Sequence, residues 1–170
     1  MGEQDRILRF TTGAAVLSHV DARTLRMTVT RDGTLLRTIP VTTGKAGFVT
    51  RSGIKVISEK YRMKVMDART VNIRPGSREY YNLKVPFAMR VTWSGEFVHG
   101  APWSVGQQGR ARVSHGCVGM SEKNAEWFFN LTRIGDVLEV SGTGRPLEAG
   151  NGWTDWNTPW ETWKAGSALA

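Results

Sequence analysis

The chain is sparing with the residues that carry most covalent chemistry: among 170 residues there is one cysteine and there are three histidines. A single cysteine excludes an internal disulfide, and no zinc-finger spacing is present. No stretch reaches the run of roughly 18 apolar residues that a membrane helix requires, so no membrane span is expected in this chain. The opening residues, MGEQDRILRF, lack both the basic and the apolar region of a secretory leader. Acidic residues are the minority, 15 against 23 Lys and Arg, giving a net charge of +8. Such a surface attracts anionic polymers and slows self-association. The basic residues are scattered, with no basic helix and no RNA-binding aromatic signature, so nucleic acid is not an expected partner.

What is present suits one compact domain able to bury a real core, with 40% hydrophobic residues. The first two thirds read as short β-branched or apolar runs over 15–20, 25–30, 35–42, 54–58, 62–66, 88–93 and 96–99. Turn residues separate them, Arg31-Asp32-Gly33-Thr34 giving the strongest hairpin signal. The expected fold is mostly β, a sandwich or barrel-like pair of sheets. Residues 122–131 read as a helix capped by Ser121 and stopped by Gly135, with a strand at 136–140 after it.

The cysteine, Cys117, stands in Ser114-His115-Gly116-Cys117, and His99 lies 18 residues upstream at the end of an expected strand. A thiol and an imidazole are the smallest set of side chains that can run acyl transfer through a thioester. The imidazole takes the thiol proton, the sulfur attacks a carbonyl, and the imidazolium protonates the leaving amine. The backbone N–H groups of Gly116 and Cys117 would form an oxyanion hole. A small buried hydrophobe is the alternative reading of a lone cysteine. Segment 100–116 would be a loop over the site. Ser114 is expected to fix that loop by hydrogen bonding, since a hydroxyl is the weaker nucleophile beside a thiol. His19, in an early strand, is expected to be structural.

The stretch SGEFVHGAPWSVGQQGRARVSHGCVGMS, Ser94 to Ser121, carries a histidine, 14 intervening residues, and then Ser-His-Gly-Cys. It resembles the active-site motif of the L,D-transpeptidases (the YkuD family), and GWTDWNTPWETWKAG in the tail resembles the actinobacterial branch. The resemblance implies a YkuD-like β-sandwich spanning roughly residues 14–166 and a cysteine transpeptidase forming 3→3 peptidoglycan cross-links. Cys117 would attack a tetrapeptide stem, expelling D-alanine, and a neighbouring stem amine would resolve the thioester. His99 takes the role of general base, with its Nδ1 held by the carbonyl of Gly100, and His115 lines the pocket. Tyr81 matches a tyrosine whose hydroxyl faces the acyl oxygen, with Tyr80 beside it leaving the register open. Trp103 is expected to wall the pocket, and Arg110 or Arg112 could reach a substrate carboxylate, although solvated loop arginines are the simpler reading. Many members carry Asn or Arg two positions after the cysteine, where this chain has Gly119. The resemblance also implies covalent inhibition by carbapenem β-lactams, no cofactor or metal, and an extracytoplasmic cell-wall location, with a signal or anchor expected upstream of Met1. Two rivals stay open: a cell-wall L,D-carboxypeptidase or cysteine endopeptidase, and a non-catalytic wall-binding module.

Residues 142–170 form an extension to a catalytic domain at 1–141, with Trp153, Trp156, Trp160 and Trp163. Thr158-Pro159-Trp160-Glu161 reads as a capping box with proline at the first helical position, and Gly166 as a stop. So short a helix needs support, so it is expected to dock on the domain with its indoles buried. Carbohydrate binding by these tryptophans is the functional alternative.

Overall fold

The computed structural model describes residues 8–168; the start of the stretch read for a leader, residues 1–7, lies outside them. Two sheets face each other. The first has five strands in the order β3-β2-β1-β9-β4 and the second has four in the order β5-β6-β7-β8. In the first sheet are β1 (Val16–Asp21), β2 (Arg26–Arg31), β3 (Thr34–Pro40), β4 (Gly53–Val56) and β9 (Val137–Ser141). The second holds β5 (Glu59–Asp67), β6 (Asn82–Arg90), β7 (Phe97–Gly100) and β8 (Val118–Met120).

Alternation drives the packing. Val16, Ser18 and Val20 of β1 point inward, as do Met27 and Val29 of β2 and Leu138 and Val140 of β9. From the second sheet Met89, Val98 and Met120 meet them, and Phe128 closes the core. Phe128 belongs to helix α1 (Glu122–Leu131), which packs on β6 and β7. Ser121 caps α1 as expected, its Oγ accepting the Asn124 N–H at 3.3 Å. The helix ends four residues before Gly135: the Thr132 hydroxyl donates to the Phe128 carbonyl at 2.8 Å, and Lys60 Nζ reaches the Phe129 carbonyl at 2.5 Å. That ammonium answers the exposed carbonyls of the last turn.

Two strands depart from expectation. β6 begins at Asn82 rather than 88 and contains Pro86, a residue that argues against a strand interior. The ladder between β6 and β7 is confined to Met89 and Arg90, so Pro86 lies outside it. β8 was not expected at all, because three residues centred on a glycine give no periodic signal.

The extension is joined to the first sheet by backbone and amide bonds. Ser52 N donates to the Arg145 carbonyl and Leu147 N to the Ser52 carbonyl, both at 2.7 Å. The Asn157 amide accepts from Ile54 N at 2.7 Å and donates to Ile54 O at 2.8 Å. Helix α2 (Trp160–Ala165) forms and meets Gly166, but Pro159 occupies its N-cap and the capping box is not made. The expected burial of the indoles does not occur: Trp160 is 66% and Trp163 50% exposed, and no residue of α2 is buried. Backbone bonds, the Asn157 amide and an edge contact between the Trp93 and Trp153 rings, centroids 6.2 Å apart, hold the extension in place.

Candidate active site

Strand pairing brings the thiol and the imidazole together. β7 and β8 run parallel, with Val98 opposite Val118 and His99 opposite Gly119. Cys117 shares a face with Gly119, two residues on, and therefore with His99 one strand over. Gly119 puts no side chain between them. A Cβ there would stand 2.6 Å from Thr42 Oγ1, and Thr42 exchanges backbone hydrogen bonds with Gly119 at 2.8 and 3.0 Å. Position 119 thus has no room for the Asn or Arg of other family patterns unless Thr42 moves. His99 and Cys117 line one cavity of about 320 Å³, together with Thr42, Tyr81, Trp103, Ser114 and His115. This lies within the size range of small-molecule sites, about 300–1,000 Å³.

His99 is buried, and its Nδ1–H donates to the Gly100 carbonyl at 2.7 Å. A carbonyl can only accept, so the neutral ring keeps Nε2 as an acceptor. Burial pushes the imidazole pKa down, with the Gly100 bond acting the other way. The Trp103 ring lies over it, centroids 6.0 Å apart. Burial likewise pushes the Cys117 thiol up to about 12, opposed by a backbone hydrogen bond from Phe97. Both shifts run toward the neutral forms. The sulfur sits 3.9 Å from the Gly95 carbonyl.

Ser114 acts as a loop brace. Its hydroxyl donates to the Cys117 carbonyl at 2.6 Å and accepts the Gly116 N–H at 3.2 Å. Gly116 adopts φ +117°, a conformation that side chains resist. Its N–H, expected to be an oxyanion donor, is therefore engaged with Ser114, and would serve an oxyanion only by leaving it.

His115 forms the opposite wall. Its Nε2 lies 2.7 Å from Glu79 Oε2, which also takes Lys45 Nζ at 2.5 Å. Its ring meets Phe48 and Tyr81 with centroids at 4.5 and 4.9 Å. Of the tyrosine pair it is Tyr81 that borders the cavity. Burial, then the nearby sulfur, raises its hydroxyl to about 12, leaving it a neutral donor. Neither Arg110 nor Arg112 lines the cavity, and Arg112 instead donates to the Ala22 carbonyl at 2.9 Å. His19 bonds the Ser141 hydroxyl at 2.9 Å, a structural contact. Among the described residues no group of three or more His, Cys, Asp or Glu could hold a metal ion.

Four charged neighbours escape sequence reading: Lys45 and Glu79 beside His115, and Lys55 and Glu96 behind the cysteine loop. Lys55 and Glu96 do leave a trace, each being a charge at the edge of or within a short apolar run, Ile54-Lys55-Val56-Ile57 and Glu96-Phe97-Val98.

A thiol, an imidazole with a free acceptor nitrogen and a phenol around one cavity are groups that thiol-dependent acyl transfer needs. The chain belongs to the YkuD family of L,D-transpeptidase catalytic domains, whose model matches residues 15–140. It is 38% identical over 170 residues to L,D-transpeptidase 2 of Mycobacterium tuberculosis, covering 99% of this chain and 42% of that protein. It thus spans less than half the length of that relative. Among solved structures, an L,D-transpeptidase from Mycobacterium smegmatis superposes with a TM-score of 0.76 at 44% identity, over 78% of this chain and 61% of that one. An LD transpeptidase in complex with imipenem superposes with a TM-score of 0.75 at 43% identity, over 76% and 60%.

Proposed function

We propose that this protein is a cysteine L,D-transpeptidase that forms 3→3 cross-links in peptidoglycan. Cys117 attacks the carbonyl between the third, diamino-acid residue of a tetrapeptide stem and its terminal D-alanine. His99 Nε2 takes the thiol proton during the attack and returns it to the D-alanine amine as the C–N bond breaks. The thioester is then resolved by the side-chain amine of a second stem, which loses a proton to His99 and regenerates the thiol. Tyr81 donates to the acyl oxygen, Cys117 N–H and a released Gly116 N–H assist it, and His115, Ser114 and Trp103 shape the pocket around the donor.

The observation that carries this reading is the Gly100 carbonyl bond, which leaves His99 Nε2 as the acceptor on the strand beside the sulfur. The imipenem complex of a structural relative supports carbapenems as covalent ligands of the same thiol. The net charge of +8 suits work among the anionic polymers of a cell wall outside the membrane. Residues 142–170 are an extension packed on the catalytic domain at 1–141.

Incubation with a tetrapeptide stem should yield cross-linked dimer with release of D-alanine, and brief carbapenem exposure should add one adduct mass to the protein. Cys117→Ala should abolish both. Tripeptide as the sole product would replace transfer by hydrolysis, and an unmodified wild-type protein would remove the thiol from the mechanism.

A further inference from the structure

One buried set of charges has no part in that chemistry. Lys55 on β4 and Glu96 in the turn before β7 are 1% and 5% exposed, with Lys55 Nζ 2.6 Å from Glu96 Oε2. Glu96 Oε1 also accepts from the backbone N–H and the guanidinium of Arg51, both at 3.0 Å. Packing alone does not call for this arrangement, because ions taken out of water are costly and apolar residues of similar volume fill a core at least as well.

The location of the pair is informative. Glu96 follows Gly95, whose carbonyl faces the sulfur, and its Cγ and Oε1 both lie 3.6 Å from where a Cβ would stand on Gly116. Thr50, beside Arg51, donates to the Gly116 carbonyl and accepts the Gly44 N–H, both at 2.8 Å. Segment 50–55 therefore grips the cysteine loop at Gly116 and the wall behind the sulfur at Glu96. The ionisable groups around Cys117 are Glu96, Lys55 and Arg51 from behind, and Tyr81, His99 and His115, the last with Glu79 and Lys45, from the cavity. Glu96 works against negative charge on the sulfur and Lys55 works for it.

We propose that Lys55 and Glu96 are positioning residues for acyl transfer: their buried ion pair holds the cysteine loop against the wall its sulfur rests on, and sets the balance of charge behind that sulfur. The proposal rests on the reading of Cys117 as nucleophile. Opposite charges acting on one thiol have a signature that mere scaffolding lacks. In pH–rate profiles of alkylation by iodoacetamide, Lys55→Met should displace the curve to higher pH and slow the reaction at least about threefold at a given pH, while Glu96→Gln should displace it to lower pH. Displacement of both in one direction, or of neither, in variants whose thermal unfolding matches wild type would overturn the proposal.

Where a single variant fails to fold because it strands a buried charge, Lys55→Met/Glu96→Leu removes both ions together. It should fold and be acylated by imipenem at least about tenfold more slowly than wild type, for want of the anchor that held the loop. A wild-type rate in that double variant, or its failure to fold, would overturn the proposal and leave the pair a scaffold element. Imipenem acylation of the wild type, run alongside, tests the underlying reading separately: no adduct there would remove Cys117 as nucleophile.

Discussion

The two walls of the cleft each present a histidine, and they support it by opposite means. On the β7 side His99 is buried, leans on a backbone carbonyl and faces no carboxylate of its own. On the loop side His115 is partly exposed and tied to Glu79, itself paired with Lys45. At His99 burial favours the neutral ring while the carbonyl fixes which nitrogen is left free, whereas at His115 the carboxylate occupies a ring nitrogen. The difference suits the first histidine to moving protons and the second to holding shape. The base proposed here thus takes its orientation from a backbone carbonyl.

The comparison is broken most severely at His99. His99→Gln should lower carbapenem acylation by about a hundredfold to ten-thousandfold, the usual worth of a general base. In the wild type the acid limb of the rate should fall below the ordinary imidazole value of 6.5, since burial lowers His99. A limb above that value would reverse the assignment of a neutral resting ring.

On the other wall the effect should be small. Glu79→Gln should cost at most about fivefold in acylation rate, as befits a partly exposed ion pair. Lys45 first, then His115, holds the Glu79 carboxyl below its ordinary 4.5. The contact is therefore kept above 4.5 and lost as pH falls through the lower folded value. A loss from Glu79→Gln as deep as that from His99→Gln would erase the distinction between the walls.

A weaker effect is expected further out. Burial alone would raise the Glu148 carboxyl, but hydrogen bonds from Asn151, Arg51 and Arg145 outweigh it and bring it to about 2. Its contribution to stability is present above the ordinary 4.5 and disappears as pH falls toward 2. Urea unfolding of Glu148→Gln should accordingly show a shallower decline than wild type over that window and a small loss at neutral pH. The least effect is expected at Trp160, where Trp160→Ala should change stability by no more than about 0.5 kcal/mol, because the indole is mostly in water.

The chemistry of the site was more legible in the sequence than its support. Cys117, His99, Gly100 and Ser114 lie within 19 residues, on one short strand-and-loop stretch whose motif is local. Strand alternation made β1, β2 and β9 visible for the same reason. Glu79 was not legible, because its pairing with His115 joins residues 36 apart that only the folded loops bring together. Lys55 and Glu96, 41 apart, meet across the two sheets in the same way. The role expected of the Gly116 N–H was read from its place beside the nucleophile, which gave no sign of the competing serine hydroxyl. The expectation for α2 failed because aromatic side chains alone do not supply a surface to bury them.

The amide of Asn157 has a consequence beyond anchoring. β4 pairs with β9 on one side only, so its other edge presents unpaired backbone groups of the kind that recruit strands from other molecules. By giving and taking one hydrogen bond with Ile54, the asparagine imitates a peptide unit of a neighbouring strand that is not there. One side chain thereby occupies, at Ile54, backbone groups that an incoming strand would need.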